Sequence, residues 1–532
     1  MNILSRISRR NTPQTAPADI RQVVNNAGGY VFEVTPQARV RRFLTLGTES
    51  GTYYVGAEAL TADNAEFIVG YAAEHTTDLV REIVEISTSG RAPRQNPALF
   101  ALAAAASVGD LDGRRAALAA LPLVARTGTH LFLFAGYAEQ FRGWGRGLTR
   151  AVANWYLDKP VEDLAFQVVK YRQREGWTHR DLLRLSHPAT TDDERSRLFD
   201  WLCGRAPELD GLALLDGFQR AQDAPVDRVP DLVREYRLSW EMLPDTAIGD
   251  AGVWEALLDN GMAQTALLRQ LPRLTRLGLL EPLGPRTAAI CAQLTDPARL
   301  RSARVHPISV LIALRTYAGG RSARGAGTWT PSAPVVDALD SAFYAAFESV
   351  RPTGLRHLLA LDVSHSMTTA IGGLPLSARE ASAALALTTA RTEPRHEIVG
   401  FTSGGKGWGG ARDLSQLSIS PRQRLDDAVR AVSGLPFGGT DCSLPILHAL
   451  DKGIEVDVFT IYTDNETWAG SVHPHQALAR YRREVNPRAK LVVVGMTATK
   501  FTIADPDDAG MLDVAGFDAA VPALLADFAT AA

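Results

Sequence analysis

The sequence contains few cysteines and no long apolar run. Cys203, Cys291 and Cys442 are the only cysteines among 532 residues, and their spacing matches no metal-ligand pattern. We therefore expect thiols in a reducing cytoplasm rather than disulfides. No stretch of 18 apolar residues is present, so we expect no membrane span. The first ten residues are basic but lack the apolar core of a secretory signal.

Lysine is also scarce, and the net charge is small. Only six of the 56 basic residues are lysine, and the net charge is −3. This balance argues against a protein that binds polyanions over its whole surface. Positive charge is instead local, because residues 142–187 carry nine Arg or Lys against five Asp or Glu. Any phosphate contacts would come mostly from arginine, which can grip them with two donors.

One apolar run ends abruptly in polar residues. Residues 358–361 are Leu-Leu-Ala-Leu, and Asp362, Ser364 and Ser366 follow at alternate positions. A continuous apolar run is typical of a parallel strand that is covered on both faces, and ligands bind at the carboxyl ends of such strands. Carboxylate and hydroxyl oxygens at that edge are suitable ligands for Mg²⁺ or Mn²⁺.

Two later segments extend this pattern. Thr440 lies in a Gly-Gly-Thr-Asp loop, and Asp464 follows a second apolar strand at 456–462. In this order, Asp362, Ser364, Ser366, Thr440 and Asp464 resemble the metal-ion-dependent adhesion site of a von Willebrand factor type A domain. We expect these five residues to bind Mg²⁺ or Mn²⁺. The alternative is a capped turn, in which serine and aspartate satisfy a helix N-terminus.

The periodicity of the chain changes between its two halves. From about residue 60 to 350, segments of 12–18 residues show apolar positions at helical spacing, which predicts an α-solenoid of paired helices. After residue 356, strands alternate with helices, which predicts a doubly wound parallel sheet. The predicted strands are 358–361, 397–401, 456–462 and 490–496. The predicted helices there are 377–389, 423–432, 444–452, 476–485 and 517–528.

These patterns divide the chain into three parts. Residues 1–24 are polar and contain prolines, so we expect a flexible N-terminal arm or a strap along a sheet edge. Residues 25–350 form the helical module, and residues 356–532 form the domain with the predicted metal site.

The segment from Trp155 to Pro188 combines cations with aromatic residues. We expect Lys170 and Arg174 to lie one turn apart on one helix face, where both can reach the same row of phosphates. Interleaved aromatic side chains can stack on unpaired bases. The alternative is a helical hairpin with a solvated basic face and Trp177 in its core.

Several blocks of sequence resemble the Ro autoantigen family, whose members combine a TROVE module with a von Willebrand factor type A domain. The block from Trp155 to Pro188 is one of them. The other matching blocks are residues 42–54, 90–97, 146–156, 310–317 and 338–347. The resemblance runs from about residue 25 to the end of the chain and includes the order of the two modules.

The resemblance implies HEAT-like helical repeats that are closed into a monomeric ring by the second domain. It further implies that small Y RNAs bind the outer face and that single-stranded ends of misfolded or precursor RNAs enter the hole. Carried over by motif, the first candidates for RNA contacts are Lys170, Arg174 and His187. The second candidates are Arg172, His179, Arg180 and Arg184. An exoribonuclease partner, polynucleotide phosphorylase, is implied by the family alone.

We therefore expect a non-catalytic RNA-binding protein that scaffolds RNA quality control, rRNA maturation and the stress response. The alternative is a cation-dependent protein-interaction module, in which the helical part is a passive arm. A metal-dependent nuclease is disfavoured because such enzymes cluster several carboxylates at one point, and this site has two.

Overall fold

The computed structural model describes residues 11–48, 55, 57–174, 176–205, 208–322, 326–347, 351–371, 376–402, 414–417, 419–433, 438–518 and 520–531. Its first part is mostly helical. The strands of this part are β1 (Gln22–Val24), β2 (Tyr30–Glu33), β3 (Gln173–Arg174) and β4 (Trp177–Thr178). The helices are α1 (Pro36–Leu46), α2 (Ala57–Glu74), α3 (Thr76–Ser89), α4 (Asn96–Val108), α5 (Leu111–Val124), α6 (Gly128–Phe141), α7 (Arg146–Leu157), α8 (Val161–Lys170), α9 (His179–Ser186), α10 (Asp193–Leu202), α11 (Ala213–Asp223), α12 (Val229–Tyr236), α13 (Ala251–Asp259), α14 (Gln264–Arg276), α15 (Pro285–Thr295), α16 (Pro297–Ser302), α17 (Pro307–Ala318) and α18 (Ala333–Ala345).

The early helices stack in two rows. One row runs from α2 to α4 to α6, and the other runs from α3 through α5 and α7 to α9. Each helix buries its apolar stripe on its neighbours, which is how repeat modules build a continuous core. The backbone leaves the helical region at His75 (φ −131°, ψ 41°), which separates α2 from α3. The division lets α2 and α3 join different rows.

The helical array closes into a ring. Its last helices contact its first ones directly, since Arg304 Nε donates to the Thr88 carbonyl at 2.6 Å. A ring nitrogen of His306 also lies 2.9 Å from the Arg91 carbonyl oxygen. The end faces of a repeat array are apolar and need a cover. In this chain they lie on each other and on the C-terminal domain.

The C-terminal domain is a doubly wound sheet with the strand order β11-β9-β8-β5-β6-β7. All neighbouring pairs are parallel except β6 and β7. Its elements are β5 (His357–Asp362), α19 (Ala378–Thr392), β6 (His396–Phe401), β7 (Leu414–Gln416), α20 (Leu425–Ser433), α21 (Leu444–Lys452), β8 (Val458–Thr463), α22 (Pro474–Glu484), β9 (Lys490–Gly495), β10 (Phe501–Thr502), β11 (Met511–Ala515) and α23 (Val521–Thr530). The predicted fold class, a helical ring with this second domain, is confirmed.

The two faces of the sheet belong to two different cores. Leu359 and Leu361 of β5 join the large core that runs through the helical ring. Leu358 and Ala360 point to the opposite face, where α21 and α22 cover them. Because successive side chains of a strand point to opposite faces, the central strand is apolar at every one of these positions. The domain is thus joined to the ring through one face of its sheet.

The described part of the N-terminal segment, residues 11–24, is not a flexible arm, because together with the β1–β2 hairpin it forms a strap (residues 11–33) along the C-terminal domain. The strand β1 pairs with β2, and β2 in turn pairs with β10 of the C-terminal domain. The Gln14 side chain is fully buried, and its Nε2 donates to Asp441 Oδ1 at 2.8 Å. These buried hydrogen bonds explain why a polar, proline-containing segment is ordered. Residues 1–10 of the expected arm lie outside the described residues.

Gly29 shows how closely this strap approaches the domain. A Cβ atom built on Gly29 would lie 1.9 Å from the carbonyl oxygen of Thr467. Only glycine allows two backbones to approach in this way.

No helix among the described residues is long and apolar enough to cross a bilayer.

One buried arginine links the first helix of the ring to the second domain. Arg42 is 1% exposed, and its Nη1 donates to the carbonyls of Thr499 (2.9 Å) and Phe501 (2.8 Å). Its Nη2 donates to the Asp513 carboxylate at the edge strand β11. A buried cation with these partners joins two modules that are more than 450 residues apart in the chain.

We predict that Arg42→Met destabilises the protein by about 3–5 kcal/mol, because Asp513 would keep a nearly buried charge without its partner. Urea unfolding followed by circular dichroism measures the change. The control is Arg81→Met, which removes an exposed pair with Asp78 (2.8 Å) and should cost no more than about 1 kcal/mol. Equal effects of the two substitutions would contradict a structural role for Arg42.

Candidate nucleic-acid interface and candidate metal centre

The basic block consists of α8, the two-residue strands β3 and β4, and α9. Gly176 adopts a positive φ of 80° in the turn between the strands, which glycine tolerates without strain. Thr178 and Asp181 form a capping box that starts α9, in which Asp181 Oδ2 accepts from the Thr178 amide at 3.0 Å. The block is therefore a short hairpin that leads directly into a capped helix.

Five of the seven predicted RNA contacts are exposed on this block. They are Arg172, Arg174, Arg180, Arg184 and His187. Arg180 and Arg184 lie one turn apart on the outer face of α9, while Leu182 and Leu183 are buried on its inner face. His187 ends the helix in the left-handed conformation, with φ 45°. The structure thus brings four arginines and one histidine together on this block.

The prediction that Lys170 and Arg174 share a helix face is wrong. The helix α8 ends at Lys170, because Tyr171 leaves the helical region and the next residues pair in the hairpin. Arg174 lies in β3, opposite Trp177. The Lys170 side chain is mostly buried, and its Nζ lies 3.4 Å from a Glu241 carboxylate oxygen. Lys170 therefore serves an internal ion pair as well as any surface role.

The prediction that His179 contacts RNA is also wrong. Its side chain is 1% exposed. One ring nitrogen lies 2.7 Å from the Tyr156 hydroxyl, and the other lies 2.9 Å from the Tyr171 carbonyl oxygen. Burial lowers the pKa of His179 to about 4, so the ring is neutral at pH 7. His179 is a core residue that fixes the start of α9 against the neighbouring helices.

The aromatic residues of the block belong mainly to the core. Trp155 and Tyr156 are fully buried. Trp177 is half-buried, and its ring lies 6.0 Å from that of Trp144 in the loop before α7. The exposed guanidinium groups can therefore stack on bases, whereas these aromatic rings are packed in the core.

The second candidate site lies at the carboxyl end of β5. Asp362, Ser364 and Ser366 are at most 3% exposed. Asp362 Oδ1 accepts from the Ser364 amide at 2.9 Å, and the hydroxyl oxygens of Ser364 and Ser366 are 3.0 Å apart. The predicted triplet is therefore a compact buried turn at the end of the central strand.

The later segments lie at the same edge of the sheet. Asp464 follows β8, the neighbour of β5, and the Thr440 carbonyl accepts from the Trp468 and Ala469 amides at 3.1 and 3.0 Å. Thr440 Oγ1 and Asp464 Oδ2 are buried and have no hydrogen-bond partner among the described residues. Unpaired buried polar atoms are costly and imply a missing partner.

Electrostatics at this edge are unfavourable for two free carboxylates. Burial, together with the nearby charge of Asp362, raises the pKa of Asp464 to about 7. Burial also raises the pKa of Asp362, although hydrogen bonds from Ser364 and Thr463 oppose the shift. No cluster of three or more His, Cys, Asp or Glu suited to a metal occurs in the described parts of the chain. The donors that meet here are two carboxylates and three hydroxyls, which suit hard cations.

The sequence interpretation did not include three groups that support this edge. Thr463 Oγ1 donates to Asp362 Oδ2 at 2.7 Å, and its place before Asp464 in the motif is the signal that could have found it. Arg379 Nη2 donates to the Ser364 carbonyl at 3.1 Å, and no sequence signal pointed to it. Asn26 of the strap donates to Glu466 Oε1 at 2.7 Å, a contact that only the fold creates.

Comparisons with known proteins decide the family. A model of the TROVE domain matches residues 23–208 and 235–318, and a model of the Ro60 vWA domain matches residues 356–529. The chain is 43% identical over 537 residues to the RNA-binding protein RO60 of Deinococcus radiodurans, and the match covers 99% of each. This chain belongs to the Ro60 family.

A second relative and one solved structure support this assignment. The RNA-binding protein RO60 of Caenorhabditis elegans is 35% identical over 590 residues, covering 96% of this chain and 90% of that protein. The crystal structure of the Deinococcus radiodurans RO (RSR) protein matches with a TM-score of 0.71 at 41% identity, covering 93% of this chain and 99% of that one. The resemblance to the Ro family is confirmed.

We predict that stability falls as the pH is lowered from 6.5 towards 4, partly through His179. Its folded pKa lies below the ordinary value of 6.5, so the unfolded chain binds a proton first and the contribution present above pH 6.5 is lost on acidification. A pKa difference of this size between the folded and unfolded states corresponds to roughly 3 kcal/mol in the free energy of unfolding. His130, His306 and His475, whose pKa values burial also lowers to about 4, add to the trend.

Urea unfolding at a series of pH values tests this. His179→Gln should be less stable than the parent at pH 7.5 and should lose less stability between pH 6.5 and 4.5. His187→Gln, an exposed matched control, should follow the parent at every pH. If His179→Gln ran parallel to the parent, His179 would not contribute to the acid sensitivity.

Proposed function

We propose that this protein is a non-catalytic RNA-binding ring. The observation that carries the proposal is the full-length match to two relatives, each named an RNA-binding protein. The absence of catalysis is supported by those names.

The surface chemistry supports phosphate binding on the hairpin and α9. Arg172, Arg174, Arg180, Arg184 and His187 are exposed within a stretch of sixteen residues. Guanidinium groups bind phosphates through two parallel hydrogen bonds and stack on bases. Such a surface can position a folded RNA through its backbone, which is how structured RNA is mostly recognised.

The finer roles rest on the family resemblance. We infer that Y RNAs bind the outer face and that single-stranded ends of misfolded or precursor RNAs enter the hole. We further infer roles in RNA quality control, rRNA maturation and the stress response, with polynucleotide phosphorylase as a partner. We infer a monomeric ring as well. A location in the cytoplasm agrees with the three free cysteines of the described chain.

We also propose that the sheet edge holds a divalent cation, Mg²⁺ or alternatively Mn²⁺. The residues fit such an ion because the Thr440 and Asp464 oxygens are buried without a partner and because a cation would relieve the repulsion between Asp362 and Asp464. Ser364 and Ser366 would complete the protein ligands. The ion would supply a fixed positive charge at this edge.

The buried oxygens of Thr440 and Asp464, which have no hydrogen-bond partner among the described residues, favour a second function for the C-terminal domain. A cation at this edge can capture a carboxylate of a partner protein, as the alternative interpretation of the sequence expects. The two functions are compatible, since each belongs to a different domain.

We predict that Arg180→Glu/Arg184→Glu weakens RNA binding and lowers the slope of log affinity against log salt by about 2, because two phosphate contacts are lost. Fluorescence anisotropy with a labelled RNA stem-loop that carries a single-stranded 3′ tail measures both quantities. These residues are better targets than Lys170, whose reversal would place a second carboxylate beside Glu241.

The matched control for this pair is Arg483→Glu/Arg488→Glu. Both residues are exposed on the C-terminal domain, and the charge change is the same. This variant should keep the affinity and most of the salt dependence of the parent. If both variants weakened binding equally, only the net charge would matter and the proposed surface would be refuted.

We predict that Mg²⁺ or Mn²⁺ raises the thermal unfolding midpoint and that Asp464→Asn abolishes the increase. A ligand at 100 times its Kd stabilises the folded state by about 2.7 kcal/mol. Asp527→Asn, an exposed change on α23, should keep the metal effect. An equal response of Asp464→Asn and the parent would contradict the site, and RNA binding by Asp464→Asn should be unchanged.

A further inference from the structure

Arginines converge on a cavity of about 420 Å³ between α5, the end of α6 and the start of α7. We name it the arginine pocket, and its cationic residues are Arg114, Arg115, Arg142, Arg146 and Arg150. It lies outside the predicted RNA contacts, although Arg142, Arg146 and Arg150 belong to the basic stretch 142–187. Its volume falls within the range of small-molecule sites.

The charge of this pocket is poorly balanced. Arg115 pairs with Asp112 at 3.1 Å, and both of these side chains are largely exposed. For Arg114, Arg142, Arg146 and Arg150, no carboxylate lies within ion-pair distance among the residues that the structure describes. Like charges held around one concavity repel each other and raise the local concentration of anions. The pocket thus favours an anionic occupant.

The backbone adds donors to the same pocket. The helix α7 begins at Arg146, its N-cap residue Gly145 offers no side-chain cap, and its first turn contains no acidic residue. The first hydrogen bond within the helix is from the Thr149 amide to the Gly145 carbonyl at 3.0 Å, so the amides before it remain available. Helix N-termini with free amides bind phosphate groups. Here Arg146 and Arg150 reinforce that preference.

The wall of the pocket is apolar. Leu111 is 56% exposed, and Leu118 and Leu148 line the same cavity. A Cβ atom on Gly147 would lie 3.0 Å from Leu118 Cδ1, so this glycine brings α7 close to α5. Inorganic phosphate has no apolar group that could pack on this wall. A nucleotide fits better, because its base can pack on leucine and on guanidinium planes while its phosphate binds the arginines.

The pocket adjoins the hairpin surface. Trp144 lies in the loop between α6 and α7, and its ring packs against Trp177 of β4, the strand that pairs with Arg174. The two tryptophans therefore connect the loop between α6 and α7, which borders the pocket, to the hairpin. An RNA that lies on the hairpin can place one end in the pocket.

We propose that the arginine pocket binds the terminal phosphate of a nucleotide. The nucleotide is either the phosphorylated 5′ end of an RNA or a free nucleoside triphosphate, since both present the same chemistry. A terminal phosphate carries more charge than a phosphodiester and accepts more hydrogen bonds. The first source rests on the proposed RNA binding, and the second does not.

The test compares three forms of one short single-stranded RNA, labelled at its 3′ end, with 5′-hydroxyl, 5′-monophosphate or 5′-triphosphate termini. Labelled ATP and GTP are titrated in parallel. Anisotropy gives each Kd for the full chain and for Arg146→Ala/Arg150→Ala. The matched control is Arg180→Ala/Arg184→Ala, which removes the same charge from α9, and circular dichroism checks the fold of both variants.

For an RNA end, the parent should prefer the 5′-phosphorylated forms by about tenfold or more. The pocket variant should lose this preference, while the α9 variant should bind all forms more weakly and keep it. For a free nucleotide, ATP or GTP should bind the parent and the α9 variant but not the pocket variant.

The proposal is overturned if the parent shows neither a terminal preference nor nucleotide binding. It is also overturned if the preference, or nucleotide binding, survives in the pocket variant. Failure of the 5′-hydroxyl RNA to bind at all would count against the proposed RNA-binding function instead, and the nucleotide titrations would then decide the pocket.

Discussion

The structure depends on the closure of the helical array by charged side chains that bind the second domain. Arg42 joins the first helix to β11, and Arg91 donates from its Nε to Asp518 at 2.6 Å just before α23. At the other end of the array, Arg315 pairs with Glu380 of α19 at 2.7 Å. A repeat array has no intrinsic end, so its terminal faces need a cover. The second domain provides this cover and holds both ends in place.

The arginines of this protein fall into a buried group and an exposed group with different roles. Buried arginines such as Arg42 and Arg195 donate to backbone carbonyls and hold modules or helices together, as in the 2.6 Å contact of Arg195 with the Tyr156 carbonyl. Exposed arginines on α9 and around the arginine pocket face solvent. The guanidinium group suits both roles because it keeps its charge when buried and offers five donors in a fixed plane.

The metal-site edge depends on segments far apart in the chain. Gln14 of the strap contacts Asp441 beside the Thr440 loop, and Asn26 contacts Glu466 beside Asp464. The strap therefore holds two of the loops that carry the proposed ligands. The edge is shaped by the N-terminal segment as well as by its own sheet.

The sequence by itself determined the two modules, the central strand with its polar end and the helix α21, whose predicted and observed bounds agree at 444–452. These features follow from local periodicity and from short motifs, which neighbouring residues encode. Only the tertiary structure decided that α8 ends at Lys170, that His179 is buried and that the arginine pocket exists. Each of these depends on which distant surfaces pack together, and a two-residue strand such as β3 has too few residues to show a period of its own. The same basic and polar residue types form core contacts where they are buried and solvent-facing surface where they are exposed. Their order in the chain does not specify which of them become buried.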